Sequence, residues 1–303
     1  MRTRFRGITV REAMLIEGPA GWGEFAPFLE YEVAEARAWW QSAVEAAELG
    51  LPAPVRDRIA VNVTIPATDP MHAATLVRAS GGCRTAKVKV AEPGQDEAAD
   101  LARLEAVRDA IGATGRIRID ANAGWDVDTA VRLIPLYERA SGGLEYVEQP
   151  CPSVDDLAAV RRAVDVPIAA DESIRRSDDP MRVIAVEAAD VIVLKVAPLG
   201  GVRACLRLAE QVGLPVVVSS AVDTAVGIAA GLALAAVLPE LPYACGLATG
   251  SLLAADVVGN SQRPVDGELS VGAVVPDSAL LDELAAPPDR VAWWLRRAER
   301  CAS

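Results

Sequence analysis

The sequence predicts an α/β barrel of the (β/α)8 type, capped by a small α+β unit built from the two ends of the chain. From about residue 59, short β-branched runs alternate with alanine-rich amphipathic stretches, and the polar residues that end successive runs are 23 to 31 residues apart. That spacing is typical of one βα unit. In a TIM barrel the strand ends converge on one mouth, whereas in a doubly wound open sheet, the alternative, they would lie in a row.

Each predicted barrel strand is a short apolar run bounded by turn residues. The strands are expected at residues 59–65, 86–90, 117–120, 144–148, 167–171, 191–195 and 215–219, with an eighth beginning at Tyr243. Helical patterns fall between them, for example at residues 96–111 and 127–140. Parallel strands need such crossovers, so the alternation favours a closed parallel sheet.

The flanking segments do not follow the alternation. Their predicted elements are strands at residues 8–17 and 21–25 and helices at residues 32–49 and 289–301. Because neither flank is large enough to fold alone, we assign residues 1–58 and 251–303 to the cap and residues 59–250 to the barrel. The turn-rich segment at residues 21–27 is expected to reach over the barrel mouth, with Phe25 as a candidate contact.

Composition excludes several classes of function. The 303 residues carry a formal net charge of −12 without a basic block, which argues against a nucleic-acid partner. Five Cys without a Cys-x-x-Cys pair fit free thiols in a reducing cytoplasm. A single His argues against a Ser-His-Asp mechanism, and the absence of a long apolar run argues against a membrane partner. No pattern predicts the oligomeric state.

The positions of the lysines are informative. Of 30 basic residues, 27 are Arg and only Lys87, Lys89 and Lys195 are Lys. A G+C-rich genome explains that ratio but not the positions, which are all in strand-like runs. Lysine can lose its proton near neutral pH when it is desolvated or crowded by another cation, whereas arginine does not. The three lysines therefore indicate proton chemistry.

Three carboxylates end consecutive predicted strands: Asp120, Glu148 and Asp171. Without His or Cys beside them they form an all-oxygen site, which suits Mg²⁺, with Mn²⁺ as a substitute. The alternative is that each residue separately caps the helix that follows it.

Lysines on both sides of such a site suit removal of a proton next to a carboxylate. Mg²⁺ would bind the carboxylate and stabilise the enediolate, while a neutral Lys89 takes the proton. Lys87 would lower the pKa of Lys89 by charge repulsion. The alternative from another class of protein is a noncatalytic ligand-binding barrel.

Five segments occur in a characteristic order: Lys87-Val88-Lys89, Asp120-Ala121-Asn122, Glu148-Gln149-Pro150, Asp171-Glu172-Ser173 and Lys195. This order resembles the muconate-lactonising subgroup of the enolase superfamily, and nearly the whole chain resembles the o-succinylbenzoate synthases of menaquinone biosynthesis. The resemblance implies the (β/α)7β form of the TIM barrel with a capping domain and Mg²⁺-dependent lyase activity. It also implies that Asn122 and Glu172 support the metal ligands from behind.

The reaction implied by the resemblance is the syn dehydration of 2-succinyl-6-hydroxy-2,4-cyclohexadiene-1-carboxylate to o-succinylbenzoate. Lys89 would remove the α-proton and then, as the conjugate acid, protonate the departing hydroxyl. Lys195 would remain a cation on the opposite face of the ring.

Three further residues are candidates for substrate contact. Arg118 points to the same side of its strand as Asp120, so it either binds the succinyl carboxylate or pairs with a metal ligand. Ser219 and Ser220 precede a predicted helix, where backbone N–H groups bind a carboxylate or the serines simply cap the helix.

Two related activities remain alternatives. An N-acylamino-acid racemase would use Lys89 and Lys195 as acid and base on opposite faces of the substrate. A dipeptide epimerase is less favoured, because the Asp-x-Asp expected on its eighth strand is absent from residues 243–246.

Overall fold

The computed structural model describes the chain except residues 3, 4, 6, 177, 178, 260 and 261. The strands are β1 (Met14–Gly18), β2 (Gly21–Phe25), β3 (Arg58–Ala60), β4 (Val63–Ile65), β5 (Thr85–Lys89), β6 (Arg116–Asp120), β7 (Val147–Glu148), β8 (Ile168–Ala170), β9 (Val191–Lys195), β10 (Val216–Ser219) and β11 (Glu268–Ser270). The helices are α1 (Val33–Leu49), α2 (Pro70–Arg78), α3 (Glu97–Ile111), α4 (Val127–Ser141), α5 (Val154–Ala163), α6 (Glu172–Arg175), α7 (Arg182–Ala185), α8 (Val202–Val212), α9 (Ala225–Val237), α10 (Ser278–Glu283) and α11 (Pro288–Ala302).

The central sheet is a closed parallel barrel. Seven strands pair in the order β10, β9, β8, β7, β6, β5, β4. Cys245 and Gly246 close the gap between β10 and β4. The backbone N–H of Asn62 donates to the Cys245 carbonyl at 3.0 Å, and the backbone N–H of Gly246 donates to the Val218 carbonyl at 2.8 Å. The predicted eighth strand is therefore reduced to a pair of bridging residues. This closure confirms the barrel and excludes the open sheet.

The predicted first strand is divided. Residues 59–65 do not form one strand, because β3 pairs antiparallel with β11 from the tail, whereas β4 pairs parallel with β5. Between them, Val61 forms an isolated bridge with Cys245. Part of the C-terminal segment therefore packs beside the barrel, while our division of the chain into cap and barrel remains a prediction.

The cap joins both ends of the chain around one aromatic cluster. Helix α1 packs on β1, β2 and the C-terminal helix α11, and Phe25, Trp39 and Trp294 are buried between them. A Cβ atom at Gly23 would lie 1.9 Å from the Ala43 carbonyl oxygen, so glycine is required for β2 to approach α1 this closely. The strand predicted at residues 21–25 is thus confirmed as β2, and it packs against helix α1 instead of forming a turn-rich loop.

Two properties bear on the compositional predictions. All five cysteines are buried with free thiols. Within the described ranges, no helix is long and apolar enough to cross a bilayer.

Candidate active site

Six charged side chains meet at the carboxyl ends of the barrel strands. Strand pairing places Lys89 opposite Asp120, and Asp120 opposite Glu148. Each of the six is at most 6 % exposed. The group, called the carboxylate–lysine layer below, consists of Lys87, Lys89, Asp120, Glu148, Asp171 and Lys195. The structure therefore brings together all the predicted lysines and metal-ligand candidates.

On one side of the layer, two lysines share a carboxylate. The Lys87 Nζ lies 2.9 Å from Asp120 Oδ2 and donates to Glu148 at 2.9 and 3.1 Å. The Lys89 Nζ donates to the same Asp120 Oδ2 at 2.5 Å and also to Asn122 Oδ1. The backbone N–H of Asn122 donates to Asp120 Oδ1 at 3.0 Å. Asn122 therefore contacts Lys89 through its side chain and Asp120 through its backbone, and its supporting role remains a prediction.

On the other side, Asp171 lies between two cations. Lys195 Nζ donates to Asp171 Oδ2 at 2.5 Å, and Arg175 Nε donates to Asp171 Oδ1 at 2.9 Å. Arg175 also donates to Glu172 Oε1, which accepts a longer bond of 3.4 Å from Asn122 Nδ2. A continuous chain of polar contacts thus connects Lys89 with Lys195.

The electrostatic balance differs among the three carboxyls. Burial raises the pKa of Asp120, but Lys87 and Lys89 outweigh it and hold that pKa well below its usual value. The pKa of Asp171 is likewise lowered, because Arg175 and Lys195 outweigh burial. Burial and the neighbouring charge of Asp120 instead raise the pKa of Glu148 to about 7. Glu148 is therefore the carboxylate that would gain most from an additional cation.

The donor set fits a hard divalent cation. Three carboxylates from adjacent strand ends, with no sulfur or imidazole among them, provide the oxygen ligands that Mg²⁺ prefers. Glu172 Oε2 is buried, and no hydrogen-bond donor in the described part of the chain reaches it. As the side chains stand, no cluster of three or more His, Cys, Asp or Glu within the described ranges could hold a metal. The lysine ammonium groups lie between the carboxylates, so the lysines would have to move away from the carboxylates before a cation could bind.

The helix-capping alternative for the three acids is wrong. Helix α4 is capped by Asp126, whose side chain accepts from the Thr129 amide, and α5 is capped by Ser153. Asp171 precedes α6 but makes no capping hydrogen bond with its side chain. The carboxylates at the strand ends are therefore not used as helix caps and remain available to bind a ligand.

Ser219 and Ser220 lie at the mouth, and neither caps a helix. Thr224 caps α9 by accepting from the Val226 amide. Ser219 and Ser220 line a small cavity, together with all three lysines. The Ser220 hydroxyl donates to the Gly246 carbonyl at 2.8 Å and lies 2.7 Å from Thr249 Oγ1. Their substrate contact remains a prediction, and the capping alternative is wrong.

Arg118 is placed away from the carboxylates. It is 0 % exposed, and its guanidinium donates to Glu145, to the Tyr146 hydroxyl at 2.8 Å and to the Ala244 carbonyl at 2.9 Å. These partners lie toward the amino ends of the strands. An ion pair with a predicted metal ligand is not seen, and a substrate contact would require Arg118 to leave Glu145.

Sequence reasoning missed four residues around the site. Phe28 and Phe5, which were not predicted, line the cavity. Phe25, which was predicted to contact the mouth, is instead fully buried in the cap. Arg175 and Tyr31 were also missed. The signal for Arg175 was available, because it follows Asp171 by four residues on a helix and so lies one turn away.

Comparison of the chain with known proteins shows the family to which it belongs. A family model described as enolase C-terminal domain-like matches residues 71–277, and one described as enolase N-terminal domain-like matches residues 1–47. The o-succinylbenzoate synthase of Thermobifida fusca (strain YX) is 65% identical over 298 residues, covering 98% of this chain and 92% of that protein. This chain belongs to the o-succinylbenzoate synthases of the enolase superfamily.

Other relatives agree with this membership. The o-succinylbenzoate synthase of Mycolicibacterium smegmatis is 55% identical over 301 residues, covering 99% of this chain and 92% of that protein. Members of this family are hydro-lyases. A substrate-liganded L-Ala-D/L-Glu epimerase from Bacillus subtilis matches with a TM-score of 0.70 and 26% identity over 84% of this chain and 86% of that one. The muconate lactonizing enzyme of Pseudomonas putida shares the fold, with a TM-score of 0.75 and 21% identity over 91% and 98% of the two chains.

Proposed function

We propose that this chain dehydrates 2-succinyl-6-hydroxy-2,4-cyclohexadiene-1-carboxylate to o-succinylbenzoate, as the names of its relatives suggest, and that it contributes to menaquinone biosynthesis. The observation that carries the proposal is the carboxylate–lysine layer, in which three buried carboxylates lie among three lysines at the mouth of the barrel. This arrangement combines oxygen ligands for a cation with amines able to carry a proton. We further propose the cytoplasm as its location and a small carboxylate, rather than nucleic acid or membrane, as its partner.

Lys89 is the base in this proposal. Its Nζ lies at the edge of the cavity, hydrogen-bonded to Asp120 and Asn122. The amine takes the α-proton of the substrate, and the C–H electron pair moves into the adjacent carboxylate. The resulting ammonium then donates a proton to the departing hydroxyl, so that water leaves and the ring becomes aromatic. A proton taken and returned on one side of the ring gives the syn course.

Lys195 acts as a cation in this proposal. Its Nζ lines the same cavity and is held by Asp171 in a buried ion pair. A protonated amine near the face of the ring stabilises negative charge as it develops there. Lys87, bound between Asp120 and Glu148, keeps two carboxylates in place and adds positive charge beside Lys89.

Asp120, Glu148 and Asp171 would hold Mg²⁺, or Mn²⁺ in its place. Bound there, the cation would supply positive charge for the substrate carboxylate that receives the electron pair. The pKa of Glu148, raised to about 7 by burial and by Asp120, is consistent with carboxylates that lack sufficient countercharge.

The test is conversion of the cyclohexadiene substrate by the purified chain in the presence of Mg²⁺, followed by the absorbance of the aromatic product. We expect product formation that depends on the enzyme concentration. If no product forms while the protein is folded and binds a divalent cation, the proposal is wrong. Exchange of the α-proton of N-succinyl amino acids for solvent deuterium, with inversion and without dehydration of the ring substrate, would favour the racemase instead.

A further inference from the structure

Asp171 is held by a fixed cation as well as by a lysine. Arg175 Nε binds Asp171 Oδ1 at 2.9 Å, while Lys195 Nζ binds the other oxygen. Arg175 is 8 % exposed, and its guanidinium is planar and effectively always charged. Arg175 therefore determines which carboxylate oxygen of Asp171 faces away from it, toward Lys195.

The remaining Arg175 nitrogens connect Asp171 to the cap. One terminal nitrogen donates to Glu172 Oε1, and the other donates to the Tyr31 hydroxyl at 3.0 Å. Because the donors of a guanidinium lie in one rigid plane, the three partners together fix its orientation. Without the Tyr31 hydroxyl, only Asp171 and Glu172 would remain to fix the orientation of this plane.

Tyr31 is itself held firmly by the cap. Its ring packs edge-on against Phe28 and Trp39, with centroids 5.4 and 6.3 Å away. Its carbonyl accepts a hydrogen bond of 2.6 Å from Arg297 on helix α11, which also donates to the Phe28 carbonyl at 2.8 Å. The same short segment thus brings Phe28 to the substrate cavity and Tyr31 to Arg175.

We propose that Tyr31 and Arg175 are positioning residues through which the docked cap orients Asp171 for a divalent cation. The inference deepens the proposed function and rests on it, since Asp171 is a ligand only if the metal site is as proposed. When the cap packs on the barrel, Phe28 then covers the substrate cavity and Tyr31 orients a metal ligand through Arg175.

The test measures binding of Mn²⁺ alone by electron paramagnetic resonance, without substrate. Arg175→Lys keeps the charge but loses the planar fork, and we expect about 10- to 100-fold weaker binding, as is typical when a hydrogen-bond partner of a metal ligand is lost. Tyr31→Phe removes only the hydroxyl, and we expect about tenfold weaker binding. The matched control is Tyr137→Phe, since the Tyr137 hydroxyl donates to Asp100 within the barrel at 3.2 Å; its Mn²⁺ affinity should equal that of the unsubstituted chain.

Several outcomes would overturn the link. These are unchanged Mn²⁺ affinity in variants whose circular dichroism shows that they are folded, or an equal loss in Tyr137→Phe. Failure of the proposed function is a separate result: a chain that shows the expected Mn²⁺ pattern but does not dehydrate the substrate supports the link and contradicts the activity. An unsubstituted chain that does not bind Mn²⁺ contradicts both.

Discussion

Lys87 and Arg118 begin at the same level of neighbouring strands but contribute to different regions of the barrel. The two residues are paired in register on β5 and β6, and both are buried. Lys87 reaches Asp120 and Glu148 at the carboxyl ends, whereas Arg118 reaches Glu145 and the Tyr146 hydroxyl toward the amino ends. The carboxylate–lysine layer therefore lies above a second buried charged group, which we call the arginine layer (Arg118, Glu145, Tyr146).

The difference indicates how the two layers are used. In the arginine layer one guanidinium binds a carboxylate, a phenol and a carbonyl, and its ring-face contact with Tyr146 adds a cation–π interaction at 4.6 Å. In the upper layer, lysine ammonium groups lie between carboxylates and can withdraw along flexible stems. The charges that our proposal requires to move are thus lysines, and the charge held by three fixed partners is an arginine.

The largest expected effect comes from removing divalent cations from the upper layer. Chelation should lower turnover by on the order of 10³-fold or more, because several kcal/mol of charge stabilisation are lost. Circular dichroism should remain unchanged, since Lys87 and Lys195 lie within ion-pair distance of the carboxylates and provide countercharge. Adding Mg²⁺ back should restore turnover, and turnover that is insensitive to chelation would contradict the metal site.

Arg118→Met should affect stability rather than chemistry. The substitution leaves Glu145 with only the exposed Arg116, at 3.1 Å, as a cationic partner, and it removes the donor to the Tyr146 hydroxyl and the Ala244 carbonyl. We expect a loss near the lower end of about 3–5 kcal/mol, which urea denaturation would measure in the free energy of unfolding. The turnover of the fraction that remains folded should change little. If stability is preserved while KM rises strongly, Arg118 contacts the substrate and the arginine layer is not merely structural.

A third buried group tests what happens when carboxylates lack a lysine. Glu24 accepts hydrogen bonds from the Thr224 and Gly227 amides and lies near Asp223, with Arg11 as the nearby cation. Burial, with the charge of Asp223, raises the pKa of Glu24 to about 8. The stability that it provides is present below its unfolded pKa and is lost as pH rises through the folded pKa.

We therefore expect the free energy of unfolding to decline between about pH 5 and pH 8, by on the order of a few kcal/mol. Glu24→Gln keeps an oxygen acceptor without a titrating proton and should make that decline shallower in denaturation measured across pH. The remainder would come from Glu148, whose pKa is also raised. An equally steep decline in the variant would assign the pH dependence to other groups.

The sequence predicted the site better than its surroundings. Strand periodicity aligns the ends of parallel strands, so the convergence of Asp120, Glu148 and Asp171 followed from spacing alone. The split of residues 59–65 could not be predicted in this way, because it depends on pairing with a tail segment more than 200 residues later. The same limit applies to Phe28 and Tyr31, which reach the mouth only because the cap docks on the barrel.

Arg118 shows a different limit. Alternation correctly placed it on the inward side with Asp120, but alternation does not determine whether a long side chain extends toward the mouth or toward the opposite end. The position of Glu145, three residues before Glu148, determined the direction. An inward arginine on a barrel strand is therefore not by itself a substrate contact.

The most direct test of the account compares Lys89→Arg with Lys195→Arg. Arginine keeps a positive charge but cannot act as a base, so Lys89→Arg should lower kcat by about 10²- to 10⁴-fold while the far-ultraviolet circular dichroism is unchanged. Lys195→Arg keeps the cation that the proposed mechanism requires and should retain clearly more activity. Equal loss in both variants would indicate that both lysines exchange protons, as in the racemase, and full turnover by Lys89→Arg would contradict its role as the base.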